Sequence, residues 1–170
     1  MHTIFDPLSR EKALAVLSWR YDPPYDCYNF NGQNIAAELQ YLTASESAFF
    51  SISNPFNELE GFCSFGKDGQ VPGGSYQFQA LDIGMGLRPD LTGQGQGRKY
   101  AEAVAQYAMA LHHTDLLRVT IAAFNERAQK VWSHIGFEIT STFLKSNSES
   151  EFVVMTLNSD SGRPTHRIRK

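Results

Sequence analysis

The chain has only two cysteines, Cys27 and Cys63, with neither CxxC nor metal-ligand spacing around them. That excludes a disulfide framework and a cysteine-based metal site, and it fits reduced thiols in a cytoplasmic protein. Cys63 stands in an apolar run and reads as core rather than nucleophile. Long hydrophobic runs are missing too. Nothing approaches the roughly 18–20 apolar residues that span a bilayer, so no membrane contact is expected. The stretch Met1-His2-Thr3-Ile4-Phe5-Asp6 lacks the basic region and apolar run of a signal peptide. Nor is there an excess of one charge: a net charge of −3 gives nucleic acid nothing to bind across the chain as a whole. The densest basic cluster is Arg163, His166, Arg167, Arg169 and Lys170. It is read as part of a disordered tail over 159–170, because Ser159–Arg163 has the composition of disorder.

What is present is an ordinary globular balance, 42% hydrophobic and 19% charged over 170 residues, enough for one domain with a sizeable core over 1–158. Ser9–Trp19 predicts a first helix, with Ser9 as N-cap and Ala13, Val16 and Leu17 on one stripe. Pro23 and Pro24 stop helix there and leave an aromatic loop, Tyr21 to Tyr28. A short helix over Asn34–Leu42 and strands over Ala48–Ser53 and Glu60–Phe65 follow. Leu81, Ile83, Met85 and Leu87 alternate with Asp82, Gly84 and Gly86 as in a strand with one apolar face, which Pro89 ends. Ala101, Val104, Ala105, Ala108 and Leu111 then fall at helical spacing. Val119, Ile121 and Ala123 give the next strand. Ala128, Val131, Trp132 and Ile135 give an amphipathic helix closed by Gly136. Strands over Phe137–Leu144 and Glu151–Leu157 complete a mixed α/β domain.

Between one strand and one helix stands Thr92-Gly93-Gln94-Gly95-Gln96-Gly97-Arg98. Glycine at every second position lets backbone approach a bulky ligand, and the free N–H groups at the following helix start attract phosphate oxygens. Arg98 can add a charge-assisted contact. Two nucleotide-binding classes fit poorly. A P-loop ends in Gly-Lys-Ser/Thr, whereas this turn ends Gly97-Arg98-Lys99. A dinucleotide-binding GxGxxG counted from Gly93 and Gly95 needs its third glycine at Arg98.

The segment Leu87-Arg88-Pro89-Asp90-Leu91-Thr92-Gly93-Gln94-Gly95-Gln96-Gly97 resembles the first signature of the GNAT superfamily of N-acetyltransferases. Asn125-Glu126-Arg127-Ala128-Gln129-Lys130-Val131-Trp132-Ser133-His134-Ile135-Gly136-Phe137 resembles the second. The likeness covers about Glu60 to Leu157. It implies a central mixed β-sheet with splayed middle strands, flanked by helices. It also implies that acetyl-CoA is the co-substrate and that an acetyl group passes to a primary amine of a small molecule or protein. By the same likeness the pyrophosphate rests on main-chain amides of Gly93, Gln94, Gly95, Gln96, Gly97 and Arg98, and the pantetheine arm runs beside Met85, Gly86 and Leu87. The amide of Gly86 or Leu87 is expected to face the thioester oxygen, and Asn125 to reach the cofactor arm as well as to cap its helix. Gly84 and Gly86 weaken a strand unless a ligand or backbone comes close, which agrees with that placement.

Two positions depart from the family pattern. Thr92 stands where Arg or Gln is usual. Trp132 stands where many members carry the tyrosine that protonates the leaving thiolate; its indole N–H donates a hydrogen bond but delivers no proton. The leaving thiol has a pKa of about 8.5, so the missing acid slows the reaction without abolishing it. An amine nucleophile still has to shed a proton. Asp82 is the acid nearest the glycine strand and is the candidate base. Glu60, Asp26, Tyr25 and Tyr28 are weaker ones, Thr120 occupies a position where relatives place a glutamate, and water is the remaining choice. Trp19, Tyr21, Tyr25, Tyr28 and Phe30 are available to line an acceptor pocket. A non-catalytic acyl-CoA-binding module is the alternative function. The sequence names no acceptor and no metal, and it leaves a homodimer open.

Overall fold

The alternation of Leu81, Ile83, Met85 and Leu87 forms a strand at the centre of the computed structural model, which describes residues 2–162 except Ser45 and Ser47. The basic residues of the expected tail, 163–170, lie outside the described residues. Among the described residues seven strands make one sheet: β1 (Ile4–Pro7), β2 (Phe49–Ser53), β3 (Leu59–Phe65), β4 (Leu81–Leu87), β5 (Leu116–Ala122), β6 (Glu138–Leu144) and β7 (Glu151–Asn158). Their spatial order is β1-β2-β3-β4-β5-β7-β6, antiparallel throughout except for the β4–β5 pair. The sequence reading found six of these strands. It missed β1, four residues that include Asp6 and Pro7 and carry no alternation, paired at the sheet's edge where a proline is tolerated.

The helices are α1 (Arg10–Ser18), α2 (Ile35–Thr43), α3 (Gly97–His112) and α4 (Glu126–His134). Side-chain caps fix three of their starts: Ser9 accepts from the Lys12 N–H, Asn34 from that of Ala37, and Asn125 from that of Ala128. Gly136, at φ +99°, provides the left-handed turn that leaves α4 for β6. Two apolar clusters flank the sheet. Ile52, Phe65, Ile83, Val104, Leu117, Val119 and Phe137 belong to the larger, with α3 and α4; Leu17, Leu39, Leu42 and Phe49 belong to the smaller, with α1 and α2. Phe49 joins one cluster and its neighbour Phe50 packs on the other, as strand alternation across two faces requires.

The feature that positions the site is where β4 and β5 stop pairing. Only Leu81 with Leu117 and Asp82 with Arg118 are matched. From Ile83 onward β4 keeps its partner β3 but has none on the β5 side, so the two central strands part and leave a wedge.

Candidate active site

A buried ion pair closes the narrow end of the wedge. Asp82 Oδ1 accepts from Arg118 Nε at 2.6 Å, and Asp82 Oδ2 accepts from Arg118 Nη2 and from Gln70 Nε2, each at 2.8 Å. Arg118 Nη1 donates to the Phe78 carbonyl at 2.7 Å, and the guanidinium lies over the Tyr76 ring at 4.8 Å. The Asp82 hydrogen bonds push the Arg118 pKa still higher. Side-chain exposures of 3% and 4% leave neither partner open to solvent. This corrects the expectation for Asp82. Its oxygens accept from three donors and it does not line the wedge, so it is placed to hold β4 against β5 rather than to receive a substrate proton. Glu60, a weaker candidate, is likewise buried and accepts the Tyr100 hydroxyl at 3.0 Å. Burial and that bond push Tyr100 up to about 12. Burial also drives the Cys63 thiol upward, consistent with a core side chain.

The exposed edge of β4 follows from strand geometry. The Arg88 N–H bonds to the Glu60 carbonyl, and the Asp82 carbonyl accepts from Gly66, so even-numbered residues turn their polar backbone toward β3. Met85 and Leu87 therefore turn theirs into the wedge. Gly86 does not: its amide faces β3, which removes it from the pair of expected oxyanion donors. Its missing side chain serves another purpose, since a Cβ there would lie 2.5 Å from the Phe62 ring. The Leu87 carbonyl accepts the Tyr21 hydroxyl at 2.7 Å, leaving the Leu87 N–H open. Burial raises Tyr21 to about 12, so it stays a protonated donor at neutral pH.

Beyond Leu87 the chain makes a short turn of helix at Pro89–Leu91 and then the glycine turn. Gly93 and Gly95 take φ +72° and +76°, a backbone that favours glycine. No hydrogen-bond partner among the described residues takes the amides of Gly93, Gln94, Gly95, Gln96, Gly97 and Arg98, and no side chain caps α3. Six donors thus stand free where the helix dipole is positive. The glycines of this turn line the wedge and Gln94 and Gln96 do not: the Gln94 side chain bonds the Asp90 carbonyl, and that of Gln96 meets Lys99. The Arg98 guanidinium pairs with Glu102 at 2.7 Å along the exposed helix.

The aromatic loop crosses the open side. Tyr25 and Tyr28 pack on Phe124, and Tyr28 accepts from Asn125 Nδ2 at 3.1 Å. Asn125 is thus both helix cap and loop anchor, its Oδ1 taken by Ala128. Trp132 is 4% exposed and packs edge-on against Phe137, in the core yet bordering the wedge. The cleft has a volume of about 690 Å³. Arg127 was not anticipated: its guanidinium lies 4.2 Å over Tyr25, and Nη1 falls 3.2 Å from where a Gly93 Cβ would stand. Lys130 and His134 join it on the lining. The spacing 127, 130, 134 is one helical stripe, a signal readable in the sequence once α4 is projected.

A family model described as "Acetyltransferase (GNAT) domain" matches residues 3–138. The chain belongs to this family. Solved GNAT structures share the fold. An acetyltransferase of Bacillus anthracis superposes with a TM-score of 0.72 at 15% identity, over 94% of this chain and 96% of that one. An N-acetyltransferase of Staphylococcus aureus Mu50 gives 0.65 at 17%, over 94% and 99%. A dodecameric spermidine N-acetyltransferase of Vibrio cholerae gives 0.64 at 14%, over 94% and 95%. At such identities the likeness is one of fold alone, and no match to a curated protein is found by sequence. Among the described residues of this GNAT chain, no helix is long and apolar enough to cross a membrane, and no group of three or more His, Cys, Asp or Glu is arranged to hold a metal ion.

Proposed function

We propose that this GNAT chain transfers an acetyl group from acetyl-CoA to a primary amine, with residues 1–158 acting as one domain. One observation carries the reading: six unpartnered main-chain amides, Gly93 to Arg98, stand at the helix start beside a wedge between parted strands. A diphosphate satisfies such donors, and the backbone edge of Met85 and Leu87 offers an extended thioester-bearing arm a strand to pair with. Family membership and the fold shared with spermidine N-acetyltransferase support an amine as acceptor.

The chemistry is addition and elimination. The neutral amine attacks the thioester carbonyl, forming the C–N bond; the C–S bond then breaks, and the products are an N-acetyl amide and the free thiol. The proton shed by the amine goes to water, since Asp82 is committed to Arg118. The Leu87 N–H is assigned to the oxyanion. With Tyr21 fixing the Leu87 carbonyl, that amide is held in place before substrate arrives. Trp132 takes no part in proton transfer; the thiolate departs unassisted and takes its proton from water to give the free thiol.

Two variants probe these roles. Tyr21→Phe removes one hydrogen bond, worth about 1 kcal/mol net. Thermal unfolding is expected to fall by about 2–4 °C, with a several-fold lower kcat and an unchanged Kd for CoA. Arg127→Ala removes one cation beside Gly93; calorimetry is expected to show about tenfold weaker CoA binding, as for one charge-assisted contact of about 1.5 kcal/mol. The function itself is tested by release of free thiol from acetyl-CoA over a panel of amines. Turnover that depends on the amine supports the transferase. CoA binding with no thiol release over the whole panel supports the alternative, a non-catalytic acyl-CoA-binding module.

A further inference from the structure

The wedge is electrically lopsided. Its basic lining residues, Arg98, Arg127, Lys130 and His134, come from the start of α3 and from α4. Val131 of α4 meets the backbone of α3 at Gly97, which sets the α4 stripe beside the glycine turn. Among the described residues a single acid lines the wedge, Asp68, together with Gly69, Val71 and Gly84 near the narrow end. The two signs are thus set at different ends.

Asp68 is held in place. Its Oδ2 accepts the Ser64 hydroxyl at 2.7 Å, and its Oδ1 accepts the Tyr41 hydroxyl. Ser64 sits on β3 opposite Gly84, and Phe62, two residues away on the same face, sits opposite Gly86. The absence of a side chain at Gly84 matters: a Cβ there would be 2.5 Å from Ser64 Oγ and 3.5 Å from Asp68 Oδ2. The Phe62 ring continues into Trp19, with centroids 6.1 Å apart. An anion thus borders an aromatic wall at the level of Gly84, one strand residue (about 3 Å) from the level of the Met85 amide and three (about 10 Å) from that of Leu87. The longer separation fits an amine nitrogen hydrogen-bonded to the carboxylate on one side and facing a carbonyl on the other.

We propose, resting on the acetyltransferase reading above, that Asp68 recognises the acceptor as a cation. The acceptor is a primary amine on an apolar, aromatic-compatible body, without a carboxylate beside the amine. The charge argument decides the last clause. An amino-acid carboxylate would enter within about 5 Å of Asp68, where like charges in a partly screened cleft cost at least about tenfold in affinity. Phe62 and Trp19 meanwhile favour both the apolar body and the ammonium.

Matched probes isolate that single group: phenethylamine against phenylalanine, and tryptamine against tryptophan. Each is titrated into the full chain saturated with CoA, by calorimetry, and assayed for thiol release with acetyl-CoA. The amines are expected to bind and turn over at least about tenfold better than the amino acids. Asp68→Asn keeps an acceptor oxygen for one of the two hydroxyls, Ser64 or Tyr41, and presents an amide N–H that the other hydroxyl oxygen accepts. It is expected to raise KM for phenethylamine at least about tenfold and to bring each pair near parity, with the Kd for CoA and the unfolding temperature unchanged. Equal handling of each pair by the parent, no binding of any probe to the CoA-loaded protein, or unaltered discrimination in Asp68→Asn overturns the proposal. Failure to bind CoA at all overturns the acetyltransferase reading instead, so the two failures are distinguishable.

Discussion

Gly95→Asp is expected to abolish CoA binding while the protein stays folded. Space is not the obstacle, because a Cβ at Gly95 meets nothing within 4 Å. The backbone, at φ +76°, costs an L-residue about 1–2 kcal/mol, and less for Asp and Asn, which tolerate this region. Thermal unfolding should therefore drop by only a few degrees, roughly 2–4 °C per kcal/mol. The charge has the larger effect. A carboxylate about 4 Å from a phosphate oxygen, at an effective dielectric near 20, costs about 4 kcal/mol, roughly a thousandfold in affinity. Gly95→Asn controls for bulk and backbone and should lose about tenfold or less. Calorimetric titration of CoA into both variants separates the two contributions. If Asp and Asn weaken binding equally, the loss is one of shape, and no phosphate sits at Gly95.

Asp82→Ala is expected to be the most destabilising substitution of those considered. It strands Arg118 in a site where the side chain is 4% exposed, and removing one partner of a buried pair costs about 3–5 kcal/mol. The matching fall in unfolding temperature is roughly 6–20 °C. Asp82→Leu combined with Arg118→Met removes both charges and should recover much of that stability, because desolvation of the pair offsets most of its attraction. The same pair of experiments separates a structural carboxylate from a base. If Asp82 serves chemistry, Asp82→Asn will lower kcat strongly with little change in stability. The structure leads to the reverse order: stability lost first, and activity only as the wedge loses its vertex.

The reading of the sequence and the fold agree closely where the pattern is local. Strand β4 was bounded to the residue by its alternation and by Pro89, and Ser9, Asn34 and Asn125 carry their own capping signal. The glycine turn was legible for the same reason: alternate glycines before an amphipathic helix mark a tight turn, and Gly93 and Gly95 do take positive φ. What stayed hidden depends on pairs distant in sequence. Asp82 was read as an accessible acid because its partner lies 36 positions away. Tyr21 reaches Leu87 across 66 residues. Parity of the β4 edge, which replaces Gly86 by Leu87, becomes visible only once the β3 register is known. Asp68 belongs to the short turn Lys67–Gly69, and only the register of Ser64 against Gly84 brings it to the wedge.

Proton–nitrogen correlation spectra of the chain, recorded as CoA is titrated, test the central claim residue by residue. The account predicts that the amide signals of Gly93, Gly95, Gly97 and Arg98 shift strongly and early, with that of Met85 following because it pairs with the arm and that of Leu87 because it faces the reacting end of the arm. Binding that leaves the Gly93–Arg98 amides unmoved while signals shift elsewhere would contradict it.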